Sequence, residues 1–171
     1  MMTNWLRIPL ATVALAAAAM ASGVKMNWTP SLPVGLYLVR PLHGVPARGV
    51  IVEACLPDQA ASFAVARGYV AEGSCPDGSM PVLKPAMAVP GDLVEVGADG
   101  VRVNGARVVP PALPVDGLGR PLEAIAHGAR LVPTDAVWLL SGHEVRSFDS
   151  RYFGAVPVTV IRSVAWPLLT F

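Results

Sequence analysis

Lys84 and Ser31 are the residues whose types and setting promise chemistry. The chain has only two lysines against eleven arginines. Lys84 sits in an uncharged run, Met80-Pro-Val-Leu-Lys84-Pro-Ala-Met-Ala-Val-Pro90, that leads into a Pro90-Gly91-Asp92 turn. A guanidinium keeps its proton in a protein, whereas a desolvated ammonium can lose one. Leu83, Met87 and Val89 could impose that desolvation on an amine whose free pKa is about 10.4, at about 1.36 kcal/mol for each tenfold change in protonation. The matching nucleophile is Ser31, in Asn27-Trp-Thr29-Pro-Ser31-Leu-Pro-Val-Gly35-Leu-Tyr37. A serine with a lysine general base does acyl transfer. The Thr29 hydroxyl with the Ser31 N–H could form an oxyanion hole. Ser147 could orient a neutral Lys84 amine, and Asp149 with Arg151 could form an ion pair that fixes the local backbone. Each residue also has a plainer reading: a snorkelling lysine, a Thr-Pro/Ser-Leu-Pro turn, a solvated charge pair on a loop.

The elements that must hold these residues read as strands. Val34 to Arg40 and Gly49 to Cys55 are β-branched and aromatic runs. Asp58 is placed to cap a short helix over Ala60 to Arg67, with Gly68 ending it. Val82 to Val89 is a strand carrying Lys84, and Pro85 suggests an edge or irregular stretch. Asp92–Gly97 and Gly100–Asn104 alternate around a hairpin, and Asn104-Gly105 turns into Ala106–Val109. Residues 110–130, rich in Pro and Gly, read as a long surface loop. Val137 to Ser141 is a strand of the fully buried type, and Val156 to Ala165 closes the domain. The expected architecture is one mainly β domain of antiparallel sheet with short helices.

The 171 residues are 53% hydrophobic and 15% charged, with mean hydropathy +0.52. That is less charged than an ordinary soluble domain, at about 25%, so part of the chain or one surface of it meets lipid. A net charge of +1 gives no electrostatic case for nucleic acid. Cys55 and Cys75 are the only cysteines. They show no metal-ligand spacing, and no metal or other cofactor is expected. They are either a disulfide or two separate buried thiols, and an extracytoplasmic domain favours the disulfide. His43, His127 and His143 fall in no catalytic motif and read as loop histidines.

Ile8 to Val24 is an alanine-rich apolar run flanked by Arg7 and Lys25. It is near the lower length limit for a membrane span, and Arg7 favours a cytoplasmic N-terminus. Ala19-Met20-Ala21 also has the form of a signal-peptide cleavage site. Residues 1–25 are expected to be one transmembrane helix acting as an anchor (or a signal-like segment), and residues 26–171 an extracytoplasmic domain.

In order along the chain, four stretches resemble the boxes of the bacterial signal peptidase I superfamily, peptidase family S26, and above all its conjugal-transfer branch of TraF-type pilin-processing peptidases. Asn27 to Tyr37 resembles the nucleophile box. Arg48-Gly-Val-Ile-Val52 resembles the next, with Val50 where an acidic residue is usual. Leu83-Lys84-Pro-Ala-Met-Ala-Val-Pro-Gly-Asp92 resembles the lysine box. Trp138 to Gly154, with Ser147-Phe-Asp149-Ser150-Arg151-Tyr-Phe-Gly154, resembles the last. Ser141-Gly142-His143-Glu144 stands where a typical leader peptidase has Gly-Asp-Asn-Arg, and no role carries over there.

The resemblance implies a signal-peptidase-like fold. It implies Ser31 as nucleophile, Lys84 as base, Ser147 orienting Lys84, Thr29 as side-chain oxyanion donor and Asp149–Arg151 as a structural pair. It further implies a serine endopeptidase at the bacterial inner membrane, with its catalytic domain facing the periplasm. Its substrate would be a pilin or other exported precursor, cleaved and in that branch also cyclised, and the conjugation machinery would be its setting. Two other readings stand beside it. One is a non-catalytic anchored β-domain that scaffolds a pilus or secretion apparatus. The other is a self-cleaving serine/lysine repressor, which would need a helix-turn-helix where this chain has its hydrophobic segment.

Overall fold

The computed structural model describes residues 22–171. The expected transmembrane helix lies outside these residues. Among the described residues no helix is long and apolar enough to cross a membrane.

Among the described residues, eleven strands form two sheets, of seven and four strands. The larger contains β1 (Val24–Asn27), β2 (Gly35–Pro41), β3 (Ile51–Ala54), β4 (Val82–Ala88), β9 (Ala136–Leu139), β10 (Val156–Pro157) and β11 (Ile161–Thr170), in the order β1-β2-β11-β3-β4-β9-β10. The smaller contains β5 (Leu93–Gly97), β6 (Gly100–Val103), β7 (Ala106–Val109) and β8 (Gly128–Leu131), in the order β7-β6-β5-β8. Every ladder between these strands is antiparallel. The described residues also hold two short helices, α1 (Asp58–Ala66) and α2 (Ser150–Phe153), and a 3-10 turn at Val158–Val160. The mainly β, antiparallel architecture is the expected one.

The hairpins follow their turn residues. Gly97 pairs with Gly100 around Ala98-Asp99. Val103 pairs with Ala106 around Asn104 and Gly105, which have φ of 51° and 80°, the positive pair that a twist-matched two-residue turn requires. β9 is buried along its length because each face meets a different core. Trp138 packs with Val94, Val101, Val103 and Val109 of the small sheet. Val137 and Leu139 pack with Val52, Ala54, Val156 and Ile161 of the large one.

Several expectations are corrected. Of the two expectations for β4, the irregular stretch is the one found: it pairs with β3 through Val82–Pro85 and, on its other side, with β9 at Ala86 and Ala88, so it is an edge only in its first half. Pro85 is tolerated because it contributes its carbonyl, which accepts from the Leu140 N–H at 3.1 Å, and the β9 register shifts between Ala86 and Ala88. Asp58 is the first helical residue and not the cap. Pro57 holds the cap position with no side-chain hydrogen bond, and Asp58 acts on the helix dipole from the first turn. The 110–130 segment is a loop only to 127, since Gly128–Leu131 pairs with β5. The closing strand is broken at Val158–Val160 and then runs on to Thr170. β1 was not anticipated, and it begins at Val24, inside the apolar run.

The large sheet is strongly curled. Lys25 on β1 reaches Glu53 on β3 at 2.5 Å, although β2 and β11 lie between them in strand order. A flat sheet would hold those strands about 14 Å apart. The concave side is filled by Leu32, Tyr37, Val39 and Ala165, with Ile51 and Leu83 against them. Gly35, at φ 151°, permits the tight approach of β2 to β11, where a Cβ would meet the Leu169 carbonyl oxygen at 2.1 Å.

Candidate active site

The curl carries the β1–β2 loop over β4. Lys84 is 4% exposed, on the same side of β4 as buried Ala86 and Ala88. Its Nζ donates to Ser31 Oγ at 2.7 Å and to Ser147 Oγ at 2.8 Å. The Ser147 hydroxyl lies 3.4 Å from Ser31 Oγ. Burial lowers the Lys84 pKa from 10.5 to about 8; the Asp149 carboxylate opposes this and the Arg151 guanidinium adds to it. A buried amine beside two hydroxyls is thus a base in reach of neutral pH. Once deprotonated, it can accept the Ser31 proton while Ser147 holds its remaining orientation.

Ser147 is positioned by the buried pair Asp149–Arg151. Arg151 Nε and Nη2 donate to the two Asp149 oxygens, each at 2.9 Å. Nη2 also donates to the Ser147 carbonyl at 3.1 Å. Asp149 caps α2 through the Arg151 N–H and accepts the Ser141 N–H, each at 3.1 Å. Removing one member of such a buried pair strands the other charge, at about 3–5 kcal/mol.

Two residues given no role from sequence hold the Ser31 loop. Asn27 is 5% exposed. Its amide donates to the carbonyls of Thr29, Leu32 and Pro33 at 3.0, 3.3 and 3.2 Å. Its Oδ1 accepts the Thr29 N–H and hydroxyl at 3.1 and 2.7 Å. Ser141, fully buried, donates its hydroxyl to the Ser31 carbonyl. The signal for Asn27 was in the sequence: an Asn two residues before Thr-Pro favours this side-chain-closed turn.

Thr29 is exposed, and its hydroxyl proton is directed at Asn27 rather than toward Ser31. The Ser31 N–H has no hydrogen-bond partner among the described residues. Cys55 and Cys75 form a disulfide away from this centre, enclosing α1. It reaches the site only indirectly: Phe63 and Tyr69 stack on Phe148, the neighbour of Ser147. The three histidines are all exposed on loops. Among the described residues no three His, Cys, Asp or Glu side chains converge as metal ligands do.

The family model described as signal peptidase, peptidase S26, matches residues 2–166. The probable conjugal transfer protein TraF of Sinorhizobium fredii is 40% identical over 97% of this chain and 90% of its own length. The conjugal transfer protein TraF of Agrobacterium tumefaciens is 40% identical over 92% of this chain and 89% of its own. A plasmid transfer protein TraF of Escherichia coli is 36% identical over 95% and 91%. A crystal structure of a signal peptidase I from Enterococcus faecalis overlays 70% of this chain and 95% of that one, with TM-score 0.40 and 20% identity, a likeness too loose to argue from.

Proposed function

The chain belongs to the signal peptidase family, peptidase S26, and from that premise we propose that it is a membrane-bound serine endopeptidase that processes an exported precursor during conjugal transfer. The observation that carries this reading is the 2.7 Å contact of Lys84 Nζ with Ser31 Oγ in a buried setting. Neutral Lys84 takes the Ser31 proton as Oγ attacks the peptide carbonyl carbon. The ammonium then gives that proton to the leaving amine as the C–N bond breaks, leaving an acyl-enzyme on Ser31. Water, deprotonated by Lys84, hydrolyses the ester, or the substrate's own N-terminal amine attacks instead and closes a ring. The free Ser31 N–H is the first oxyanion donor. Thr29 joins it on turning its hydroxyl away from Asn27.

The backbone around the dyad suits an extended peptide. β1 is the outermost strand of its sheet and pairs only with β2. The Gly23–Val39 bond sets the alternation, so Val24 and Met26 turn their backbone groups outward. β9 pairs with β4 only at Ala86 and Ala88, so the edge of β4 at Leu83 is also open. The curl brings β1 within an ion pair of β3, the neighbour of β4, so an extended peptide laid between these two open edges would meet main-chain donors and acceptors on both sides.

A periplasmic position is favoured by the Cys55–Cys75 disulfide, and contact with the membrane surface by an apolar rim near Ser31. Trp28, Trp166, Leu168, Leu169 and Phe171 are exposed, and the Phe171 N–H bonds the Val34 carbonyl, three residues from Ser31. The conjugal setting is supported by the TraF relatives, named as conjugal or plasmid transfer proteins; a pilin-like substrate is what the resemblance of the sequence boxes implies. The test is cleavage, by the purified full-length protein in detergent, of a synthetic peptide spanning a pilin precursor's processing site. Wild type cleaves it and Ser31→Ala does not. Equal cleavage by both would defeat the reading and leave a scaffold role.

A further inference from the structure

Lys25 and Glu53 join β1 to β3 close to the two open edges, on the face of the sheet that Leu83 shares and the Lys84 side chain turns away from. Lys25 stands on β1 two residues before Asn27. Glu53 is opposite Leu83, the residue before Lys84. Both lie on the concave face, since Lys25 is opposite Tyr37 and Glu53 shares its face with Ile51 and Leu83. Resting on the peptidase reading, we propose that this pair is a specificity subsite that selects a substrate side chain carrying a hydrogen-bond donor, at a residue near the scissile bond but not at it.

Glu53 is built to receive such a group. Its side chain is 6% exposed and Lys25's is 50% exposed. Only Lys25 donates to it among the described residues, through Oε1. A carboxylate has about four acceptor sites, and Oε2 takes no donor from the protein. That oxygen is also not sealed, for Ser79 Oγ is the one fully enclosed side-chain polar atom without a partner among the described residues. An incoming amine, guanidinium or amide would complete the set, with Lys25 free to swing toward solvent.

A purely structural staple is the competing role, and the physics makes it a poor one. The carboxylate bears the cost of burial, while its half-exposed partner returns little. Apart from Ser163, opposite it on β11, its neighbours on that face, Ile51 and Leu83, are apolar, and Leu or Val would pack there at lower cost. An open acceptor placed close to two open strand edges has a use that a staple lacks. A site that hydrogen-bonds a substrate group rejects analogues without one far more strongly than an apolar pocket discriminates by size.

The experiment is a positional scan. Peptides built on a sequence the full-length protein cleaves carry Lys, Gln, Leu, Asp or Ala at each position flanking the bond. Ratios of kcat/KM are taken within each protein, so loss of folded enzyme cancels. Wild type should prefer Lys or Gln over Leu by about tenfold or more at one position. Lys25→Met/Glu53→Leu should reverse that preference, and Glu53→Gln should lower the ratio of kcat/KM for Lys over Gln at that position. An unchanged profile, or a loss uniform across all peptides, overturns the subsite while leaving the peptidase standing. No cleavage of any peptide by wild type overturns both.

Discussion

Lys84 Nζ and Ser31 Oγ meet at 2.7 Å across 53 residues of sequence, and Ser147 Oγ closes the triangle from 63 residues further on. Three loops or strands must therefore be correct at once for these groups to meet.

The rate should depend on pH through Lys84. With a pKa of about 8, roughly a tenth of the amine is neutral at pH 7. kcat/KM should rise about tenfold from pH 7 and level off above pH 9, with an apparent pKa near that of Lys84. Asp149 raises this value and Arg151 lowers it, so Arg151 variants should move the inflection upward. A pH–rate profile flat from pH 6 to 10 would count against a lysine base.

Stability carries the same signature with the opposite cost. The folded-state pKa lies below the unfolded 10.5, so between about pH 8 and 10.5 the unfolded chain holds a proton that the folded chain has released. Stability should rise with pH across that window. Below it, the folded protein bears the full cost of a buried ammonium, about 3 kcal/mol. Lys84→Met should therefore unfold at a higher temperature than wild type at pH 7, with the gap closing as pH rises toward 10.5. Thermal unfolding at several pH values reads this directly.

How much of this was legible in the sequence differs residue by residue. Lys84 and Ser31 stood out because one is a rare lysine in an apolar run and the other follows a turn. Ser147, Asp149 and Arg151 were legible as a dense polar cluster, and the resemblance to ordered boxes set their roles above the plainer reading of a solvated loop. β1 and β8 were not legible, because each is four residues long and exists only through its partner, β2 or β5. Pro85 argued for an edge or an irregular stretch, and the irregularity is there as a register shift between Ala86 and Ala88. The Lys25–Glu53 contact depends on a curl of the whole sheet, which no local pattern encodes.

Asn27 should prove a positioning residue for Ser31. Asn27→Ala leaves the three carbonyls its amide serves without that donor, costing about 1–3 kcal/mol. Asn27→Asp is expected to be worse, because a carboxylate would face those carbonyl oxygens. Both should lower kcat more than they raise KM, with the apparent pKa of Lys84 unchanged. A pure KM effect would point to substrate binding instead.

The disulfide should matter for stability more than for chemistry. Cys55→Ser/Cys75→Ser opens a loop of separation 20, worth roughly 3 kcal/mol in the chain-entropy model. The loss should appear in denaturant midpoints, and residual activity per folded molecule should stay close to wild type at low temperature. A large fall in that specific activity would mean that the Phe63–Phe148 stacking governs Ser147.

The central claim is that Ser31 and Lys84 together cut an exported precursor. It is tested most directly by the intact mass of a pilin precursor co-expressed in membranes with wild type, Ser31→Ala or Lys84→Ala. Wild type should shorten the precursor, and a further loss of one water would mark ring closure. Both variants should accumulate and leave the precursor whole. Processing by either variant at the wild-type level would contradict the account.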